Sequence, residues 1–446
     1  MSPAMRWIDS VFPRRALFQE DRRLLHLTFG RLLGGMGFAV TIPFLSLYLH
    51  TERGVPMSAV GGIFFFAATT GAIAQLLVGD WTDRHGRKRM LVTAQTGRGF
   101  VFLCLAAAVV LRAAPLWFGV LVCTSSFFGR MFDPPSGAMI ADITQGEKRI
   151  EAYGVLRVGG NLGWAIGPAL GGFLAALSYS SLFLVSAALM FLSALFLAFK
   201  IEETAPHLVR HGGAVAGVGS SEVPGPALPP PGGGRFRLGD AAVALGDREF
   251  LRYCLTVLVL FVVMGQLVST LSIYVVDWAG RTKAQLGFLY SLNGLIVVLL
   301  QFPATRLVAR IRMTTQLVIG SLLYAVGYGM MGFGSSFALL FTGMAVVTLG
   351  EITAMPASMN LVAAFSGASL RGRYMGTYGL FNSFGWSVGP LLGGILLDLV
   401  RGAPELLWGI IGLVSILAAV GFWNLRTRLS PAMDLGIETR EGGGAA

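Results

Sequence analysis

Twelve apolar runs, each about 20 residues or longer, follow one another along this chain with short polar breaks. A helix needs about 20 mostly apolar residues to cross the roughly 30 Å hydrocarbon core of a bilayer. Inside lipid, only helices and closed barrels satisfy their own backbone. The runs lie at roughly 25–49, 58–79, 90–111, 115–140, 153–177, 180–199, 250–276, 285–304, 314–333, 336–361, 374–397 and 404–424. They predict an all-α polytopic membrane protein with twelve transmembrane helices. Only 13% of the residues are charged and the mean hydropathy is +0.69, whereas soluble domains carry about 25% charge.

One break differs from the rest. Residues 201–249 contain HGGAVAGVGSS and VPGPALPPPGGG, compositions that cannot build a packed core. They read as a flexible cytoplasmic linker between two six-helix bundles, 25–200 and 250–424. Residues 1–24 read as a cytoplasmic N-terminal segment, too charged for a cleaved leader, and 425–446 as a cytoplasmic tail. Lys and Arg set the orientation. Segments on the side of the two termini hold 26 of the 34 bases, counting Arg157 with the loop before span five. The opposite loops hold five, Arg53, Arg112, Arg281, Lys283 and Arg401, while Arg31, Arg98 and Arg130 fall inside spans. Both termini are therefore expected in the cytoplasm, with the chain multi-pass in the inner (cytoplasmic) cell membrane.

The net charge of +11 comes from small clusters between apolar runs, which does not suit nucleic acid. Cys104, Cys123 and Cys254 lie in apolar runs without metal-like spacing and read as packing residues. No His, Cys or Asp cluster converges on catalysis, so the sequence predicts neither an enzyme nor a cofactor or metal site.

Residues 163–172 read GWAIGPALGG and residues 385–394 read GWSVGPLLGG, 222 positions apart without a gap. The same offset pairs Pro134 with Pro356, Ser136 with Ser358, Arg149 with Arg371 and Gly154 with Gly376. This is a duplicated six-helix unit, a plan found among secondary transporters. Between spans two and three lies GDWTDRHGRKRM, a dense charged knot. At the same offset Arg84 maps onto Arg306, Lys88 onto Arg310 and Asp83 onto Thr305, so the second copy has lost its acid. The knot suits a gate: Asp83 can pair with Arg87 or sit at the N-terminus of another helix, while Gly86 permits a tight turn and Gly79 a close approach. The plainer alternative is a positive anchor that only fixes topology.

Twelve spans, a 6+6 repeat and this knot resemble the major facilitator superfamily, whose loop pattern is G-x-L-A-D-R-x-G-R-K-x-x-L. Gly79, Asp83, Arg84, Gly86, Arg87, Lys88 and Leu91 match it, with Trp81 and Thr82 replacing Leu and Ala. Arg130 matches the family's arginine in span four, although DPPSG follows it here. Gly163, Gly167, Pro168, Gly171 and Gly172 match the span-five motif associated with drug:proton antiporters. Gly385, Gly389, Pro390, Gly393 and Gly394 repeat it in span eleven as a second hinge or seal. The stretch from LGEITAMPAS onward looks especially like the multidrug-efflux branch that contains MdtH-type proteins.

The resemblance implies proton-coupled export of lipophilic or cationic compounds by alternating access. Partners would be a small-molecule substrate, protons as coupling ion and the lipid bilayer, and one chain holding both halves can work as a monomer. The alternative is a proton-coupled transporter or flippase for a specific metabolite, sugar or lipid. It further implies that Asp83 meets the start of span eleven near Arg373 and Tyr374. Spans one, four, seven and ten would line the cavity, offering Arg31, Met36, Phe38, Phe44, Tyr48, Phe261, Met264, Gln266, Tyr274, Met355 and Asn360.

Among the acids, only Asp133 and Glu351 fall well inside spans. A charge at mid-membrane costs about 2.5–3.5 kcal/mol on insertion scales and marks function by default. Glu351 is a candidate proton carrier. Asp133 is a second, with neutralisation of Arg130 three residues away as the structural alternative. A Glu351–Arg130 pair across the pseudo-two-fold is also open. Arg31 and Arg98 lie nearer the cytoplasmic ends, where long side chains snorkel.

Overall fold

The computed structural model describes residues 21–144, 147–205, 208, 244–366, 370–400 and 402–437. The N-terminal segment up to residue 20, most of the expected linker and the last nine residues fall outside these.

The apolar runs form helices in the expected order. In the first half these are Arg22–Leu47, Met57–His85, Arg87–Val110, Pro115–Arg130 with Asp133–Ile143, Glu147–Leu177 and Tyr179–Lys200. In the second they are Arg248–Met264, Lys283–Val308, Met313–Gly332, Phe337–Phe365, Arg371–Leu399 and Pro404–Arg428. Among the described residues, ten helices are long and apolar enough to cross a membrane. The remaining two are span four, which is interrupted, and span nine, a shorter helix of 20 residues rich in Gly and Tyr. With twelve passes, both described ends lie on one side, here termed the terminal face.

Span four breaks because Pro134 and Pro135 have no backbone N–H to give to the preceding turn. Asp133 consequently starts a new helical segment, where a carboxylate is favoured. Pro356, the repeat mate of Pro134, is followed by Ala357, and span ten runs through it unbroken.

The repeat carries two registers. Span one ends in a π-helical turn at Tyr48–Glu52 and span seven in one at Tyr274–Trp278, 226 positions apart. Spans two and eight start at Met57 and Lys283, again 226 apart. The offset falls to 222 only after span nine, because span three has 24 residues and span nine has 20. The sequence mapping of the charged knot is thus corrected by about one turn. Asp83 corresponds to Ala309 and Arg84 to Arg310, and the acid is still absent from the second copy.

Two acids assigned by sequence to linker and tail are built into the bundles. Glu203, just past span six, accepts hydrogen bonds from the backbone N–H of Arg87 (2.8 Å) and Lys88 (3.1 Å) and caps span three. Asp434, just past span twelve and fully buried, accepts from Thr314 N (2.9 Å) and Thr314 Oγ1 (2.5 Å) and caps span nine. Each half closes by capping its own third helix with a carboxylate. Gly86 makes the turn before span three at φ +94°, with Glu203 and Leu208 against it. That backbone region costs a non-glycine residue about 1–3 kcal/mol. Gly86→Ala is therefore expected to lower the melting temperature of the purified protein by about 1–3 °C, read by thermal unfolding in detergent.

Candidate functional site

The two glycine motifs bring backbone against backbone. A Cβ on Gly163 would stand 2.6 Å from Met36 N, one on Gly167 2.8 Å from Met36 O, and one on Gly171 would collide with Val40 O. These three press span five onto span one. In span eleven a Cβ on Gly385 would lie 2.6 Å from Phe261 Cβ and one on Gly389 2.8 Å from Gly265 Cα, and one on Gly393 would strike Gln266 and Thr270. The fourth glycine of each motif faces the other half. Gly172 abuts Lys283 and Ala284 of span eight, and Gly394 abuts Met57 and Ser58 of span two. Both prolines sit at these seams, with the Pro168 carbonyl against Gly287 and the Pro390 carbonyl against Gly61. Both helices continue through their proline.

The side opposite the terminal face is held shut. Asp398, at the end of span eleven, accepts from Met57 N (3.2 Å) and Ser58 N (2.8 Å), N–H groups in the first turn of span two that have no intrahelical partner. Span two starts after Pro56 and has no side-chain cap of its own half. Its counterpart, span eight, caps itself with Thr282 and Gln285. Thr51 donates to Asp277 (3.3 Å), and Lys283 donates to Ala175 O (3.4 Å) while lying 3.9 Å from Glu52. A cavity of about 280 Å³ lies within this closure, lined by His50, Met57, Ile273, Trp278, Leu397 and Asp398. Hydrogen bonds and ion pairs between described residues of the two halves all lie towards this side.

At the terminal face, the ion pairs of Arg84 and Arg87 stay within their own half. Arg87 lies 3.3 Å from Asp83 and 3.3 Å from Asp142 at the end of span four, and Arg84 pairs with Asp80 at 3.4 Å. Gly79 lies inside span two and Lys88 gives its backbone N–H to Glu203. The Asp83 side chain is 73% exposed, and the expected contact with span eleven is not made. Tyr374 packs instead on Phe250 and donates to Asp247 (3.4 Å). Such a contact joins the halves at the terminal face, and in this structure they join at the other.

Between the two faces lies a belt of charge. Arg31 Nη1 sits 2.8 Å from Asp133, while Arg130 reaches the same carboxylate only at 4.0 Å. The principal partner of Asp133 is therefore Arg31, from span one, rather than its helix neighbour. Arg98 does not snorkel. Its guanidinium lies 4.0 Å from the Phe38 ring centroid, donates to Ser125 Oγ (3.3 Å) and fills the space left by the missing side chain of Gly129. Glu351 Oε2 accepts from Asn293 Nδ2 (2.9 Å), which also donates to Thr348 (3.0 Å). No Glu351–Arg130 pair forms. The cation whose charge reaches Glu351 is Arg157, tallied above with the loop before span five but lying well inside that helix.

The expected cavity lining needs correction. Phe44, Tyr48, Phe261, Met264, Gln266 and Tyr274 are buried in helix packing. Phe44 lies against Gly171, and Tyr48 stacks near Phe118 and Tyr179. Gln266 is a clamp, its amide donating to Val262 O and Gly389 O. The glycine seams draw spans one and seven so tightly onto five and eleven that these large side chains go into packing. Arg31, Met36, Phe38, Met355 and Asn360 keep partial or full exposure. Asn293, Arg157, Asp398 and Glu203 were missed by sequence.

Two pseudo-symmetric bundles, meeting at glycine seams, shut at one face and carrying a charged belt midway, define a secondary transporter. The Major Facilitator Superfamily model matches residues 27–297 and 279–442, and the chain belongs to that family. Multidrug resistance protein MdtH of Klebsiella pneumoniae is 27% identical over 391 residues, covering 87% of this chain and 90% of that protein. A Na(+), Li(+), K(+)/H(+) antiporter of Planococcus maritimus is 27% identical over 81% of this chain and 86% of its own length. The nucleoside transporter NupG superposes with a TM-score of 0.72 at 15% identity, over 91% of this chain and 99% of that one. A bacterial homologue of the human lysosomal transporter Spinster gives 0.69 at 15% identity, over 92% and 98%.

Proposed function

We propose that this protein exports lipophilic or cationic compounds in exchange for protons, with both termini in the cytoplasm of the cell that carries it. The carrying observation is Glu351, a carboxyl midway along span ten, held by Asn293 and only partly buried. A carboxyl at this depth is costly unless used. The surplus of Lys and Arg on the terminal side supports that orientation, so the closure through Asp398 corresponds to an inward-open state. The relatives named for multidrug resistance and for cation/proton antiport agree with this class.

In liposomes enclosing a pH dye, with an imposed proton gradient, adding a lipophilic compound to the wild-type protein is expected to trigger proton movement above that of protein-free liposomes. If no compound in a chemically varied set does so, the efflux reading falls and a dedicated metabolite, sugar or lipid becomes the leading substrate.

A further inference from the structure

The charged belt is unbalanced. Among the described residues, Arg31, Arg98, Arg130 and Arg157 face two acids, Asp133 and Glu351. Each lies roughly ten to fourteen residues in from the terminal face, about 15–21 Å of helix rise, near the middle of a roughly 30 Å core. Three of the four cations crowd around Asp133. Arg31 binds it at 2.8 Å, Arg130 stands at 4.0 Å, and Arg98 feels all three charges. The Arg31 and Asp133 side chains are each 35% exposed and that of Arg130 is 52% exposed, so the group is open to an incoming molecule.

The guanidiniums are also set on apolar walls. Arg98 lies over Phe38, which packs edge-on to Trp164 at 6.0 Å, and Arg31 lies 5.2 Å from the Phe132 ring centroid. The Arg98 hydrogen bond goes to a neutral hydroxyl, Ser125. Guanidiniums fork onto planar oxyanions, and a surplus of them at mid-membrane repels a second cation while leaving room for an anion.

We infer that the belt recognises an acidic group, a carboxylate or sulfonate, on an otherwise apolar molecule, its oxygens taken by the guanidiniums of Arg98 and Arg130. This rests on the export reading, and within it selects acidic lipophilic compounds over cationic ones.

The test is equilibrium binding to the full chain in nanodiscs with no proton gradient, using a radiolabelled pair of similar shape and opposite charge, 2-naphthylacetate and 2-(2-naphthyl)ethylammonium. The acid is expected to bind at least about tenfold more tightly, a difference of about 1.4 kcal/mol. Arg98→Gln should remove most of that preference and Arg98→Lys should restore part of it, with binding of the amine unchanged in both. Equal or tighter binding of the amine by the wild type overturns the inference whether or not the variants fold. Unchanged binding of the acid to a folded Arg98→Gln protein overturns it as well. Because no proton gradient is present, these outcomes are independent of the liposome flux that tests the export reading itself.

Discussion

Glu351→Gln is expected to bring substrate-driven proton flux down to the level of protein-free liposomes while the protein stays folded. The amide oxygen of glutamine can accept the hydrogen bond that Asn293 now gives to the carboxylate at 2.9 Å, so span eight stays tied to span ten. Volume is nearly conserved, which cores tolerate best. The substitution removes only the capacity to take up and release a proton at this depth. A melting temperature close to that of the wild type, measured beside the flux, separates this loss from misfolding. Flux that persists in Glu351→Gln would discharge Glu351 from the coupling role and leave it to Asp133, for which Asp133→Asn is the matching experiment.

Asp398→Ala should shift the protein towards the state open on the opposite side. In the present state two N–H groups at the start of span two have a carboxylate from the other half as acceptor. Removing an N-cap acceptor costs about 0.5–2 kcal/mol, and removing negative charge from a helix N-terminus about 0.3–1 kcal/mol. A combined loss near 1.4 kcal/mol is a tenfold change in the ratio of the two states. Spin labels replacing Leu111 and Ser335, both exposed in loops of different halves, would report the change as a rise of about tenfold in the longer-distance population. Asp398→Asn, which retains one acceptor oxygen, should fall between. An unchanged distance distribution in Asp398→Ala would show that the glycine seams, with the Thr51–Asp277 and Lys283 contacts, are enough to hold this side closed.

Features that depend on local spacing were legible in the sequence. The glycines of spans five and eleven announce themselves because a close helix approach needs small residues at one-turn intervals, and the structure uses them in that way. The membrane class and the span order follow from apolar length alone. What failed depends on rotation about a helix axis or on chain-distant neighbours. Gln266 and Tyr274 looked like polar and aromatic lining, yet span seven turns them into its packing against span eleven and its neighbours. Asp398 gave no signal because its partners lie some 340 residues away and are backbone groups. Arg157 was hidden by the assumption that a base near a loop belongs to it. The ungapped repeat misled over the first three spans because a four-residue difference inside a helix leaves no mark in the match.

The seams between the halves are built largely of main chain: the carbonyls of Pro168 and Pro390 resting on glycines, and Gly172 and Gly394 resting on the first turns of spans eight and two. Where backbone rests on backbone there are no rotamers to re-sort as the surface slides. The halves can roll on it as on a smooth bearing, with little friction from one end of the stroke to the other. Such a bearing also tolerates no grit: a single methyl group at Gly394 would wedge it open. Wear resistance and intolerance to substitution are here the same property.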